Sequence, residues 1–258
     1  MERLSGPRPT PALGKLSVIV PTRNERLNLP KLLATLPPAV ELLVCDASDD
    51  GTSDLALELR PDNTRVLRTT GSIAAARQHG AEQSRGDVLV FTDADVCFDD
   101  GYFERLIDGW GEKDGVCGPK LSRDEYADYY RSVAASQRLT YALFGVAGAS
   151  GSNMALTRAA FDRVGGFRID LRCNEDTELF LRAGRRGLQV AYDDALVVWA
   201  GDHRRLHRGS TRKSAHSLLR NMLLYLYCCR PTLPRLLYHD WGYWRPAPAA
   251  RQALSPHR

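Results

Sequence analysis

The chain has 258 residues, 43% hydrophobic and 26% charged, the ordinary make-up of a soluble globular protein long enough to bury a substantial core. That composition excludes repeat and low-complexity architectures, and a formal net charge of +4 is too mild for general coating of nucleic acid. The excess charge is local: residues 203–213 (His-Arg-Arg-Leu-His-Arg-Gly-Ser-Thr-Arg-Lys) carry five Arg or Lys and no acid, which suits an anionic ligand or surface.

In chain order, residues 1–14 are Pro-rich, lack the apolar core of a signal peptide and are expected to be disordered. Leu16-Ser-Val-Ile-Val20 reads as a buried strand ending at Pro21, where the ladder donor is lost. Residues 27–36 carry Leu29, Leu32, Leu33 and Leu36 at helical spacing before Pro37-Pro38 stops the helix. A second strand over 41–45 runs into Asp46-Ala-Ser-Asp-Asp-Gly51, with Thr52 or Ser53 placed to cap the next helix. A third strand over 65–68 leads through Gly71-Ser72 into an Ala-rich helix, and Val88-Leu-Val-Phe91 is the fourth strand. Four rounds of strand and helix within 95 residues imply a parallel sheet with helices on both faces, whose ligands sit beyond the carboxyl ends of the strands. The polar clusters at 21–25, 46–51 and 93–95 fall at those ends. Asp93 and Asp95, side by side after a buried strand, need a cation or solvent, and a hard divalent ion with a diphosphate fits two oxygen acids.

Further on, the sequence predicts a helix over 102–110, a fifth strand over 115–121 and a long amphipathic helix over 124–144. A Gly-rich segment at 145–151 leads into Ser152-Asn-Met-Ala-Leu156. Short helices follow over 158–164 and 175–186, then strands over 189–192 and 195–199. After the basic segment comes a helix over 212–229 with Leu218, Leu219, Met222, Leu223 and Leu226 on a broad apolar face. It packs on the core or lies against anionic lipid beside Tyr225, Tyr227, Trp241 and Trp244. The apolar stretch at 218–229, broken by Arg220 and Asn221, is far below the ~20 residues needed to span a bilayer. The tail from 245 is expected to be disordered. Cysteines at 45, 97, 117, 173, 228 and 229 form no Cys-x-x-Cys pair, so reduced, buried thiols and a cytoplasmic setting are expected.

Five motifs in order carry a resemblance. Val18-Ile-Val-Pro-Thr-Arg-Asn-Glu25, Val44-Cys-Asp46 with Asp50-Gly-Thr52, Thr92-Asp-Ala-Asp95, Gly151-Ser-Asn-Met154 and Asn174-Glu-Asp176 together resemble a family-2 GT-A glycosyltransferase over residues 16–201. The resemblance implies an α/β, Rossmann-like GT-A domain over 15–202, with a nucleotide-binding half to 95 and an acceptor half from 96. A basic lid with C-terminal helices then follows over 203–244.

It also implies roles. Pro21, Thr22 and Glu25 match the first nucleotide-contacting loop, and Asp46 matches the acid that accepts a hydrogen bond from the base. Arg77 is expected at the base or phosphates, Asp93 at ribose or metal-bound water together with Ala94, and Asp95 on Mn²⁺ or Mg²⁺. His203 is the candidate further metal ligand and His207 its reserve. Gly151, Ser152, Asn153 and Glu175 are assigned to donor sugar or acceptor, and Arg204, Arg205 and Arg208 to a lid over the diphosphate.

Asp176 is expected to be the base that deprotonates an acceptor hydroxyl during a single inverting displacement. Two departures stand out: Gln78 replaces the family's usual Asn, and the loop after Asp46 is one residue short. The implied donor is a UDP-sugar or, second, a GDP-sugar. The acceptor is a glycan or a lipid-linked glycan in cell-envelope or glycolipid synthesis, with peripheral contact at the inner face of the membrane. The rivals are an inactive sugar-nucleotide-binding scaffold of the same fold and a nucleotidyltransferase. The second lacks support, because Pro21-Thr-Arg-Asn-Glu25 has no phosphate-cradling glycine.

Overall fold

The computed structural model describes residues 11–145, 147–171 and 173–201. The basic segment, the helix expected over 212–229 and the tail therefore lie outside the described residues. The strands are β1 (Leu16–Thr22), β2 (Glu41–Asp46), β3 (Thr64–Arg68), β4 (Val88–Thr92), β5 (Val96–Phe98), β6 (Gly115–Cys117), β7 (Lys120–Leu121), β8 (Asn153–Thr157), β9 (Val190–Tyr192) and β10 (Val198–Ala200). The helices are α1 (Leu29–Leu33), α2 (Thr52–Leu59), α3 (Ile73–Gln83), α4 (Tyr102–Asp108), α5 (Ala127–Phe144), α6 (Arg158–Val164) and α7 (Glu175–Arg185). Residues expected to be disordered up to 14 are already structured at Leu13–Lys15, a 3-10 turn whose Leu13 packs against the core.

Seven strands form one sheet in the order β3-β2-β1-β4-β8-β6-β9. The expected parallel half is present, with β3, β2, β1 and β4 all parallel. Beyond β4 the sheet is mixed, because β8 runs antiparallel to both β4 and β6. The first strands read as unbroken apolar runs because both faces are covered. Val18 and Val20 of β1 enter one core with Leu29, Leu32 and Phe103, while Ile19 between them enters the other with Phe91, Phe161 and Leu179.

The fifth strand expected over 115–121 is two strands. Its break is at Gly118-Pro119, where a side chain on Gly118 would overlap the Leu196 carbonyl. β6 stays in the main sheet, whereas β7 crosses to a second sheet ordered β5-β10-β7. That small sheet backs the segment after β4: the Gly201 amide donates to the Asp95 carbonyl at 2.7 Å, and Trp199 Nε1 donates to Asp99 Oδ1 at 2.7 Å. The strand expected over 195–199 starts only at Val198, since Leu196 is drawn into a turn by its amide's bond to the Asp193 carbonyl. No described helix is long and apolar enough to cross a membrane, and Cys45, Cys97, Cys117 and Cys173 are free thiols.

Candidate active site

Register places Thr22 at the end of β1 opposite Asp46 at the end of β2, and β4 ends beside them one residue before Asp93. Three of the polar clusters read from the sequence thus share one edge of the sheet. Thr22 Oγ1 donates to Asp46 Oδ1 at 2.7 Å, and Ser48 Oγ donates to the same oxygen. Asp46 Oδ2 accepts from Ser53 Oγ and, at 2.7 Å, from Arg68 Nη1. At 0% exposure these partners, with the Ser48 amide at 3.2 Å, fill the acceptor sites of the carboxylate. A base N–H reaching Asp46 must displace Ser48 or the outward-lying Arg68.

The shortened loop has a structural use. The N-cap of α2 is Gly51, in the left-handed region, rather than Thr52 or Ser53, and Asp50 Oδ1 just before it accepts from the Thr52 amide and hydroxyl. Asn24, in the left-handed region at φ 58°, donates its amide to Ser48 Oγ at 2.8 Å and accepts from the Asp49 amide at 3.1 Å. The β1 and β2 loops are thereby laced together. Pro21 is buried, while Glu25 is half-buried with its amide on Thr52 Oγ1.

Arg77, expected at the base or phosphates, is turned to carboxylates of the chain itself. It is 2% exposed, with Nη1 donating to Glu175 Oε1 and Nη2 to Asp93 Oδ1, both at 2.7 Å. Burial of a guanidinium is tolerated here because carboxylates meet it on two sides, although Nε has no partner among the described residues. The Gly151 backbone lies directly on the guanidinium, so that any side chain at 151 would overlap Nη1, Nη2 and Cζ. Sequence reasoning assigned Gly151 to substrate; the structure gives it this packing need as well.

Asn153, fully buried, accepts from Tyr102 Oη at 2.7 Å and donates Nδ2 to the Leu196 and Pro119 carbonyls, bracing the junction between the two sheets. Ser152 is buried, its carbonyl held by Thr92 Oγ1 and its hydroxyl by Ser150. Gln78 binds the Phe167 amide through Oε1 at 2.8 Å, a structural reason for an amide side chain at that departure.

Asp176 stands at the start of α7, after Asn174 in the left-handed region at φ 56°. Its Oδ2 accepts from the Gly151 amide at 2.6 Å and its Oδ1 from the Thr177 amide at 2.7 Å. Glu175 beside it is buried. Desolvation, then the Asp176 charge, push its carboxyl up to about 7 against the pull of Arg77. The sign for stability follows: the folded state keeps a proton that the unfolded chain releases near 4.5, so the contribution of Glu175 falls as pH rises from about 4.5 to about 7. Glu175→Gln is expected to remove that slope, checked by urea unfolding of parent and variant across the window; parallel stability curves would refute it.

Asp93 and Asp95 are 32% and 28% exposed at their side chains. Arg77 takes one oxygen of Asp93, and Lys120 Nζ lies 3.3 Å from Asp95 Oδ1. The second oxygen of each carboxylate makes no hydrogen bond among the described residues. Two open, hard oxygen donors fit Mg²⁺ or Mn²⁺. No third His, Cys, Asp or Glu joins them among the described residues. His203, His207, Arg204, Arg205 and Arg208 lie outside the described residues. A cleft of about 540 Å³ lined by Lys15, Glu41, Arg65 and Arg85 is at the amino ends of the strands and shares no residue with this cluster.

The sequence profile of "Glycosyl transferase family 2" matches residues 17–165. Among curated proteins, the chain is 29% identical over 202 residues to glycosyltransferase AglD of Haloferax volcanii, covering 69% of this chain and 32% of that protein. It is 26% identical over 213 residues to the probable glycosyltransferase YdaM of Bacillus subtilis, covering 72% and 50%. A dolichol-phosphate mannosyltransferase of Pyrococcus furiosus is 34% identical over 103 residues, 36% of this chain and 29% of that one. The chain thus spans about a third to a half of these relatives' lengths.

Two solved structures share the fold at 21% identity. The mannosyltransferase PcManGT of Pyrobaculum calidifontis, in complex with GDP-Man and Mn²⁺, gives a TM-score of 0.58 over 74% of this chain and 58% of its own. S. aureus TarS 1-349 in complex with UDP-GlcNAc gives 0.60 over 74% and 59%. With the matched profile spanning more than half of the sequence, and a GT-A sheet carrying the motifs at its carboxyl edge, the chain belongs to glycosyl transferase family 2.

Proposed function

We propose that this chain transfers a glycosyl group from a nucleoside diphosphate sugar to an acceptor hydroxyl, by one displacement that inverts the anomeric carbon. The observation that carries this reading is the Asp93–Arg77–Glu175 bridge, with both contacts at 2.7 Å. It joins the acid pair suited to a metal and diphosphate to the turn holding Asp176, so one guanidinium sets the spacing between donor and acceptor acids. Thr22, Asp46 and the laced loops form the nucleotide end; a uracil or guanine ring N–H takes Asp46 by displacing Ser48 or Arg68. Asp176, fixed by two backbone amides, keeps an acceptor position on Oδ2 for the incoming hydroxyl proton. Asp93 and Asp95 would hold Mg²⁺ or Mn²⁺, which supplies Lewis-acid neutralisation of the leaving diphosphate. His203, two residues beyond the amide that meets Asp95, is the proposed further ligand. The likeness to a dolichol-phosphate mannosyltransferase supports a lipid-linked or glycan acceptor.

The test is binding as well as turnover. Calorimetry with UDP and GDP, with and without Mn²⁺, is expected to show metal-dependent binding that Asp95→Ala weakens at least roughly tenfold, about 1.4 kcal/mol. Unchanged metal-dependent binding in that variant would remove the metal assignment.

A further inference from the structure

The acid pair has a cation on each side, and the two differ in kind. Arg77 on Asp93 is locked, with both ends of its guanidinium held by carboxylates and a glycine backbone against its plane. Lys120 on Asp95 is not. It leaves the Gly118-Pro119 break on β7, paired with β10 in the small sheet, and its side chain is 17% exposed. Its one polar partner among the described residues is Asp95 Oδ1 at 3.3 Å, longer than the roughly 2.7–2.9 Å of a tight charge-assisted bond. Burial disfavours its charge, but Asp95 and then Asp93 outweigh burial and hold it protonated. An ammonium has three donors on a flexible stem, so a half-buried one with a single long contact retains capacity for further anionic oxygen.

We propose that Lys120 is a diphosphate-binding residue: it covers Asp95 before the donor arrives and moves onto the diphosphate oxygens when a divalent ion takes the carboxylate. The inference rests on the reading of Asp95 above as the metal acid. Lysine and metal share one carboxylate, and a dication at Asp95 repels the ammonium. A diphosphate arriving with that ion supplies the nearest uncommitted anionic oxygens, while the neighbouring Asp93 is already engaged by Arg77. In this role Lys120 adds a second positive charge to the leaving group as the sugar–oxygen bond breaks.

The experiment uses the full chain and the variants Lys120→Met, Lys120→Arg and Asp95→Ala. Binding of Mn²⁺ alone is followed by electron paramagnetic resonance, and binding of UDP, UMP, GDP and GMP with Mn²⁺ by calorimetry. Lys120→Met is expected to bind Mn²⁺ alone roughly threefold to tenfold more tightly, because the competing charge is gone. It should bind UDP or GDP about tenfold more weakly and UMP or GMP almost unchanged, with Lys120→Arg keeping most of the diphosphate affinity. Lys120→Met with unaltered or weaker Mn²⁺ binding and unaltered diphosphate binding, alongside loss in Asp95→Ala, overturns the role of Lys120 alone. If Asp95→Ala also leaves both untouched, the metal-site reading falls with it. Should Lys120→Met fail to fold, Lys120→Gln carries the same comparison.

Discussion

Asp176→Asn is expected to lower turnover by roughly 10²- to 10⁴-fold, the span that a positioned general base contributes, while metal and donor binding stay within a few-fold of the parent. Asparagine keeps the shape of the side chain but offers one acceptor oxygen where the carboxylate offers two. In the parent those oxygens hold the amides of Gly151 and Thr177. The variant therefore keeps one of the two anchors and loses the proton acceptor. Single-turnover transfer assays beside donor calorimetry separate these effects. Turnover within about threefold of the parent, with an intact melting transition, would remove Asp176 as the base.

Arg77→Met should be the most destabilising single change near the site. It deletes a cation that is 2% exposed and leaves the carboxylates of Asp93 and Glu175 with no guanidinium between them. Removing one partner of such a buried pair costs about 3–5 kcal/mol. For a domain of this size that is a fall in melting temperature of roughly 6–20 °C. Adding Glu175→Gln to Arg77→Met should recover part of the loss at alkaline pH, where Glu175 is ionised and is one of the two charges left without the guanidinium. Thermal melts of the two single variants and the double variant give the coupling. Additive losses would mean that Arg77 and Glu175 do not act as a unit.

The parallel half of the sheet was legible because long apolar runs meet polar residues abruptly. Val18, Ile19 and Val20 stop at Pro21, and Val88 to Phe91 stop at Thr92 and Asp93, so both strand and strand end can be read locally. The small sheet was not legible in this way. Its strands have two or three residues, too few for a period, and β10 pairs with partners about 80 and 100 residues earlier in the chain. A Gly-Pro step inside residues 115–121 was the available warning that one strand would become two.

The burial of Arg77 was hidden for a related reason. Helix periodicity does not reveal that an arginine faces inward when its partners stand 16 and 98 residues away. The signal in hand was the company it keeps: Ala74, Ala76 and Ala81 are all buried, so α3 lies close on the sheet with little room for a long side chain to turn outward. Asn153 hid likewise, since its amide bonds Pro119 and Leu196, both loop carbonyls that no local pattern marks.

The position of β10 bears on the order in which the molecule can be assembled during synthesis. β5 and β7 are not neighbours; among the described strands each pairs with β10, which lies between them. The strands from β1 to β4 can pair once residue 92 has emerged from the ribosome, whereas the small sheet waits for residue 200. Until then Asp95 lacks the Gly201 amide behind it, and Lys120 lacks the strand that holds its backbone. The surroundings of the acid pair can therefore be completed only after the last strand of the small sheet has been made.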